Sequence, residues 1–378
     1  MRVGIDLLRC GRSGLFKGAR VGLVSHQAAT CSDGASSAQA LHDLLGERLV
    51  ALFGPEHGFF GGAGPGERTE TRIHPDWGIP VYSLYGESRK PTPGMLGGID
   101  LLIVDLQDLG IRCYTYFATL KLLLEACSEA GIRVIVADRP SPCGGVVDGA
   151  SADPAWFSFV APCALPMVYG MTQGESSLWL KKRLDLDLAL EVVPMEGWRR
   201  ESLWGETFPP FVPPSPGIRT WEAARLYPAT VFTEALPVID CGRATPMAFR
   251  VLGAPFFRAE DLCGRVREVG LPGLSLHPYR FTPEAGRYAG MDLDGIRFTP
   301  GGDGDYRPVT ASLILLREIQ NLYGPSRLWE DKETRSLWFD KLYGSDRVRL
   351  ALRKGEIRSG DEGERQTFMR EREDVLLY

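Results

Sequence analysis

The sequence predicts an α/β protein, a Rossmann-like parallel sheet with helices on both faces, followed by a smaller α+β C-terminal domain. Three observations predict it. From Arg20 to the late 190s, short apolar runs alternate with longer amphipathic stretches, the βαβ pattern of a parallel sheet. Phe208–Gly217 (FPPFVPPSPG) then sets five prolines in ten residues, which suits neither a helix interior nor a central strand. At 378 residues the chain also exceeds one domain of ordinary size. The expected division is therefore a first domain over 1–205 and a second over 206–378.

In chain order, Met1–Cys10 (MRVGIDLLRC) reads as an opening strand. Strands follow at Val21–Ser25, Leu49–Phe53, Val81–Leu84, Leu101–Asp105, Val134–Ala137 and Leu190–Val193, each an apolar run short enough for a buried parallel strand. Between them Ser36–Gly46, Thr119–Ala130 and Gln173–Arg183 carry helical periodicity. Beyond the prolines the apolar runs shorten, around Val231, Phe249–Leu252 and Gly295–Phe298, and helices are expected near Ala311–Tyr323 and Ser326–Tyr343. The charged tail Lys354–Asp374 reads as solvated surface.

Composition narrows the function classes. With 44% hydrophobic and 24% charged residues and a net charge of −5, the chain is an ordinary globular protein, without the basic balance of a nucleic-acid or polybasic membrane partner. No run reaches the roughly 18 apolar residues of a membrane span. No signal peptide or lipoprotein site is visible at Met1–Cys10, so a cytoplasmic location is expected for the sequence as given. The eight cysteines lack CxxC spacing, and the five histidines are scattered, so neither disulfides, a metal nor another cofactor is expected. There is no GxxxxGK[ST] loop, no GxGxxG turn and no GxSxG elbow. Oligomeric state is not legible.

Two constellations carry chemistry. In Leu49–Gly62 (LVALFGPEHGFFGG) the apolar run stops at Gly54 and Pro55, and Glu56 and His57 follow. Titratable groups just past a strand's carboxyl end, before Gly58, Gly61 and Gly62, suit the crevice where open α/β sheets bind ligands. Glu56 is the expected general acid, its proton favoured by Phe53, Pro55, Phe59 and Phe60 nearby. The plainer alternative is that Glu56 caps a turn and His57 packs on a loop. The second constellation is Asp105–Tyr116 (DLQDLGIRCYTY), with Asp105, Gln107, Asp108, Arg112, Tyr114 and Tyr116 crowded at one strand end. Carboxylate, amide, guanidinium and phenols together suit a sugar's hydroxyls and ring faces. Asp108 capping a helix with Arg112 bonded to it is the structural alternative. Glu56 with Asp105 or Asp108 would supply the two carboxyl groups of glycoside hydrolysis, and their spacing along the chain leaves retaining, inverting and substrate-assisted routes open.

The ordered motifs GPEHGF at Gly54–Phe59, VYSLYG at Val81–Gly86, KPTPGML at Lys90–Leu96, DLQDLGIRCYTY, DRPSP at Asp138–Pro142, GMTQGE at Gly170–Glu175 and GAPF at Gly253–Phe256 span nearly the whole chain. Together they resemble the DUF1343 family, which includes exo-β-N-acetylmuramidases of the NamZ type. The resemblance implies release of N-acetylmuramic acid from the non-reducing end of peptidoglycan fragments, a cleft between the domains, and Glu56 as leading catalytic residue. It adds Tyr85, Glu175 and Arg243 to the substrate-binding residues, and its partner is a small amino sugar or muropeptide. For the sugar's lactyl carboxylate Arg139 is favoured, with Arg112 and Arg243 as alternatives and a salt bridge to Asp138 or Asp105 as the competing use of Arg139. The chain departs from the family pattern at Ser25–Ala29, Phe60, Ser141, Tyr169, Gly217 and Cys241, where an acidic residue is expected and Asp240 stands beside it. Two rivals therefore stay open, a non-catalytic glycan-binding or regulatory protein and a different hydrolase on the same scaffold.

Overall fold

The computed structural model describes residues 1–11, 13–202, 208–301 and 305–378, so the expected boundary at 205/206 lies outside the described residues. The chain opens with a helix, α1 (Gly4–Gly11), where a strand was expected. Within it Ile5 and Leu8 are fully buried, and their three-residue spacing fits one helix face rather than a pleat. Asp6 fixes the turn by accepting the Val3 N–H at 2.9 Å, and Gly4 donates to the Asp138 carbonyl at 2.9 Å.

The first half then runs β1 (Val21–Val24), α2 (Ser37–Leu45), β2 (Leu49–Gly54), β3 (Arg72–Ile73), β4 (Pro80–Ser83), α3 (Pro93–Leu96), β5 (Leu101–Val104), α4 (Thr115–Ala130), β6 (Arg133–Ala137), β7 (Val147–Asp148), β8 (Val168–Tyr169), α5 (Gln173–Arg183) and β9 (Leu190–Val193). The sheet order is β3-β4-β2-β1-β5-β6-β9, parallel throughout except for the edge strand β3. α1 and α2 cover one face with Ile5, Leu8, Leu41 and Leu45, while α4 and α5 cover the other with Leu120, Leu124 and Leu180. The order reverses at β1, with β2 on one side and β5 on the other, which opens a crevice at their carboxyl ends.

The second half comprises α6 (Trp221–Thr230), β10 (Val251–Gly253), α7 (Ala259–Val269), β11 (Leu274–Phe281), β12 (Leu293–Pro300), α8 (Pro308–Tyr323), α9 (Pro325–Trp329), α10 (Ser336–Tyr343), α11 (Arg347–Arg353) and α12 (Glu362–Glu373). Its sheet is antiparallel, in the order β10-β12-β11. Three expectations are corrected. The apolar run at Val231 is a 3-10 turn over Val231–Ala235, and the helix expected over Ser326–Tyr343 breaks between α9 and α10. The charged tail is not wholly solvated. α12 buries Phe368 against Trp179, ring centres 5.9 Å apart, and buried Arg372 donates to the carbonyls of Tyr169 and Gly145 at 3.2 Å each and to that of Gly170. One hydrophobic core joins the halves, running from Leu120 and Tyr169 through Phe232 to Leu315 and Tyr343. Among the described residues no helix is long and apolar enough to cross a membrane.

Candidate active site

At the end of β2 the chain doubles back on itself. A Cβ at Gly54 would strike the Phe59 backbone nitrogen, and His57 and Gly58 both take left-handed backbone, φ 72° and 79°. A histidine at positive φ is strained, and such strain persists where the surroundings impose it. Here the glycine-rich loop after it imposes the turn. Gly66 N–H donates to Glu56 Oε1 at 2.7 Å, and His57 Nδ1 lies 2.9 Å from the Ala63 carbonyl, a distance that makes Nδ1 the protonated nitrogen.

Glu56 is largely buried yet faces a cleft of about 660 Å³ between the halves of the molecule. The first half supplies Glu56, His57, Tyr85 and Tyr114, and the proline-rich segment adds Ser215 and Gly217. The second half supplies Tyr227, Glu234, Asp240, Cys241, Arg243, Phe249, Arg287, Arg335 and Trp338. Burial raises the Tyr85 phenol, and the Glu56 charge raises it further. Burial lowers the Arg243 guanidinium, and Tyr227 and Glu56 oppose that shift. Arg243 pairs with the Glu234 carboxylate and sits 5.1 Å from the centre of the Phe249 ring. Asp240 is tied to β10 by bonds with Gly253 at 2.8 and 2.9 Å, and its Oδ1 accepts the Gly242 N–H at 2.7 Å. Its carboxyl is raised by burial, and burial pushes the neighbouring Cys241 thiol up to about 12, so that thiol is neutral. Among the described residues the cleft thus offers three carboxyl groups, three guanidinium groups and several aromatic faces, the chemistry of a sugar site.

Both parts of the chain match models of one family, exo-β-N-acetylmuramidase NamZ, its N-terminal part over residues 21–222 and its C-terminal part over residues 225–378. The chain is 35% identical over 384 residues to the peptidoglycan β-N-acetylmuramidase NamZ of Bacillus subtilis (strain 168), covering 100% of this chain and 91% of that one. It belongs to the NamZ family. With its family it is an exo-acting glycosidase of the muramidase type. Two crystal structures of DUF1343 family proteins from Bacteroides fragilis NCTC 9343 share the fold. One is 30% identical with a TM-score of 0.89, and the other 26% identical with a TM-score of 0.76; each match covers 100% of this chain and 98% of that chain.

Against the NamZ pattern, the departures at Gly217 and Cys241 lie in the cleft wall, while those at Phe60, Ser141 and Tyr169 do not. Phe60 points to the surface, under the Arg72 guanidinium at 4.1 Å and beside His74. Tyr169 donates its hydroxyl to Asp108 in the core.

The cleft brings together Glu56, His57, Tyr85, Tyr114 and Arg243 from the expected set. Asp105, Gln107, Asp108, Arg112, Tyr116, Arg139 and Glu175 do not line it, and each is corrected to a supporting position by the bonds it makes. Arg139 and Asp105 form a two-point pair, Nε to Oδ1 at 2.5 Å and Nη2 to Oδ2 at 2.9 Å, which leaves neither for a substrate. Gln107 donates its amide to the carbonyls of Asp108 and Pro140, both at 2.9 Å. Asp108 accepts from Tyr169 and from Gly110 N–H, and burial pushes its carboxyl up to about 6. Arg112 spends its guanidinium on the carbonyls of Leu165 (2.6 Å), Ala150 (3.0 Å) and Tyr343. Glu175 closes the capping box of α5 with Thr172 and pairs with Arg200 at 2.5 Å.

Tyr116 belongs to a chain of bonds beneath the cleft. Burial holds His26 neutral, and its Nε2 accepts the Gln107 N–H at 2.9 Å, so Nδ1 carries the proton and donates to the Tyr116 oxygen at 3.2 Å. The Tyr116 hydroxyl in turn donates to the Pro214 carbonyl at 2.9 Å. Strand ends and the proline-rich segment are thereby fixed to one another. Glu234, Arg287 and the Arg335–Trp338 turn escaped the sequence reading because the three places lie far apart in the chain, in no motif of their own.

Proposed function

We propose that the protein releases N-acetylmuramic acid, or a closely related amino sugar, from the non-reducing end of peptidoglycan-derived fragments, with Glu56 as general acid. The observation that carries this reading is the position of Glu56. One carboxylate oxygen is held by the Gly66 N–H while the residue lines a cleft walled by the family's two parts, with Asp240 as the second carboxyl group. Glu56 passes its proton to the glycosidic oxygen as the bond to the anomeric carbon breaks. Asp240 then takes a proton from the entering water, or orients the acetamido group if that group attacks first. In either route water supplies the new hydroxyl at the anomeric carbon. Asp105 and Asp108, the partners proposed from sequence, give way to Asp240 because neither lines the cleft.

A second reading, a glycan-binding protein without turnover, draws on the neutral Cys241 thiol, which stands where the resemblance led to an acidic residue being expected. Incubation with a chromogenic N-acetylmuramide separates the two. Release of the chromophore with free N-acetylmuramic acid supports the hydrolase, and saturable binding without product supports the binding protein.

A further inference from the structure

N-acetylmuramic acid differs from N-acetylglucosamine by a lactyl ether whose carboxylate is charged at neutral pH. A protein of net charge −5 offers that anion no general attraction, so any preference for the acidic sugar has to come from a cation in the cleft. Among the described residues three guanidinium groups line it: Arg243, Arg287 and Arg335. Two are already engaged. Arg243 is paired with the Glu234 carboxylate, and Arg287 holds Asp331 in two-point geometry at 2.8 and 2.9 Å with Glu333 at 3.1 Å.

Arg335 differs from both. Among the described residues its guanidinium has no carboxylate partner, and its bond from Nη2 runs to the main-chain carbonyl of Glu234 at 2.6 Å. That carbonyl orients the fork without neutralising it. The Glu234 carboxylate is already paired with Arg243, so the Arg335 guanidinium is left without a carboxylate of its own among the described residues. The base of the side chain is also fixed. Arg335 is the N-cap residue just before α10, its N–H donates to the Ala235 carbonyl at 2.9 Å, and its carbonyl accepts from Trp338 and Phe339 at 2.9 and 3.0 Å. Trp338, three residues on, lines the same cleft and adds an aromatic ring to its wall.

We infer that Arg335 is the specificity-determining residue that receives the lactyl carboxylate, an inference that rests on the amino-sugar reading of the same cleft. Arginine suits the task because its planar fork presents two N–H groups to a carboxylate, which lysine does not.

The test compares the full-length wild type with Arg335→Gln and Arg335→Lys on matched 4-nitrophenyl glycosides of N-acetylmuramic acid and N-acetylglucosamine, and on the lactyl methyl ester. Calorimetric binding of the two free sugars runs in parallel. Loss of a charge-assisted pair predicts that Arg335→Gln lowers the wild type's preference for the lactyl sugar by about tenfold or more, chiefly through KM. Esterification should reproduce that loss in the wild type and add little in the variant, and Arg335→Lys should fall between. Equal losses on both sugars in Arg335→Gln and Arg335→Lys, an unchanged ratio, or a wild type indifferent to esterification would overturn the assignment. If the wild type binds the lactyl sugar selectively without turning it over, and Arg335→Gln abolishes that selectivity, the inference stands and the hydrolase reading fails.

Discussion

Asp105 and Arg139 show what buried polar residues cost when one partner is lost. Asp105 is fully buried and Arg139 nearly so, and each satisfies the other in two places. Arg139→Ala would leave the Asp105 charge unpaired, which costs roughly 3–5 kcal/mol of stability at a buried site. Thermal or urea unfolding should show a loss of that order; a fall in sugar preference with full stability would instead return Arg139 to the substrate. Asp108 provides a pH handle. Its carboxyl is raised to about 6 by burial, above the ordinary value of 3.8, so between those values the folded chain holds a proton that the unfolded chain has released. Stability from this group is therefore present at low pH and is lost as pH rises from about 4 to about 6. Asp108→Asn should remove a slope of up to about 1.4 kcal/mol per pH unit in that window. Denaturant midpoints of the two proteins at pH 4 and pH 7 check this, and parallel curves would contradict it.

At the level of elements, the sequence reading succeeded where one physical signal dominated. β1, β2, β5 and β6 are buried along nearly their whole length, so their apolar runs were legible without context. α1 and α12 were not. α12 turns inward only Phe368 and Arg372, one residue and its i+4 neighbour, too narrow a face for periodicity to register. β11 alternates buried and exposed positions around a proline and was missed for the same want of contrast. The polar cluster after β5 misled in the opposite sense. Buried polar groups must find partners, so crowding at a strand end marks a bonded network as readily as an open site, and here it is the network. Glu56 differs in that it lines the cleft, on a loop that two positive-φ residues turn back on itself. The docking of α12 is testable. Phe368→Ala should destabilise the protein by about 3–5 kcal/mol, as for loss of a buried phenylalanine. A change below about 0.5 kcal/mol in chemical unfolding would mean that the tail is surface after all.

The molecule as a whole is organised around the cleft between its halves. β2 delivers Glu56 to one wall, and the segments from Val231 to Phe249 and from Arg335 to Trp338 build the other. A continuous core from α4 to α8 and α10 holds the walls in register. The central claim is that Glu56 supplies the proton to the departing sugar oxygen. The most direct measurement is kcat for wild type and Glu56→Gln on an N-acetylmuramide with a poor, alkyl leaving group, where acid assistance matters most. Glutamine keeps the shape and the acceptor for Gly66 but has no proton to give, so kcat should fall by roughly 10²-fold or more. Near-native turnover by Glu56→Gln on that substrate would contradict the account.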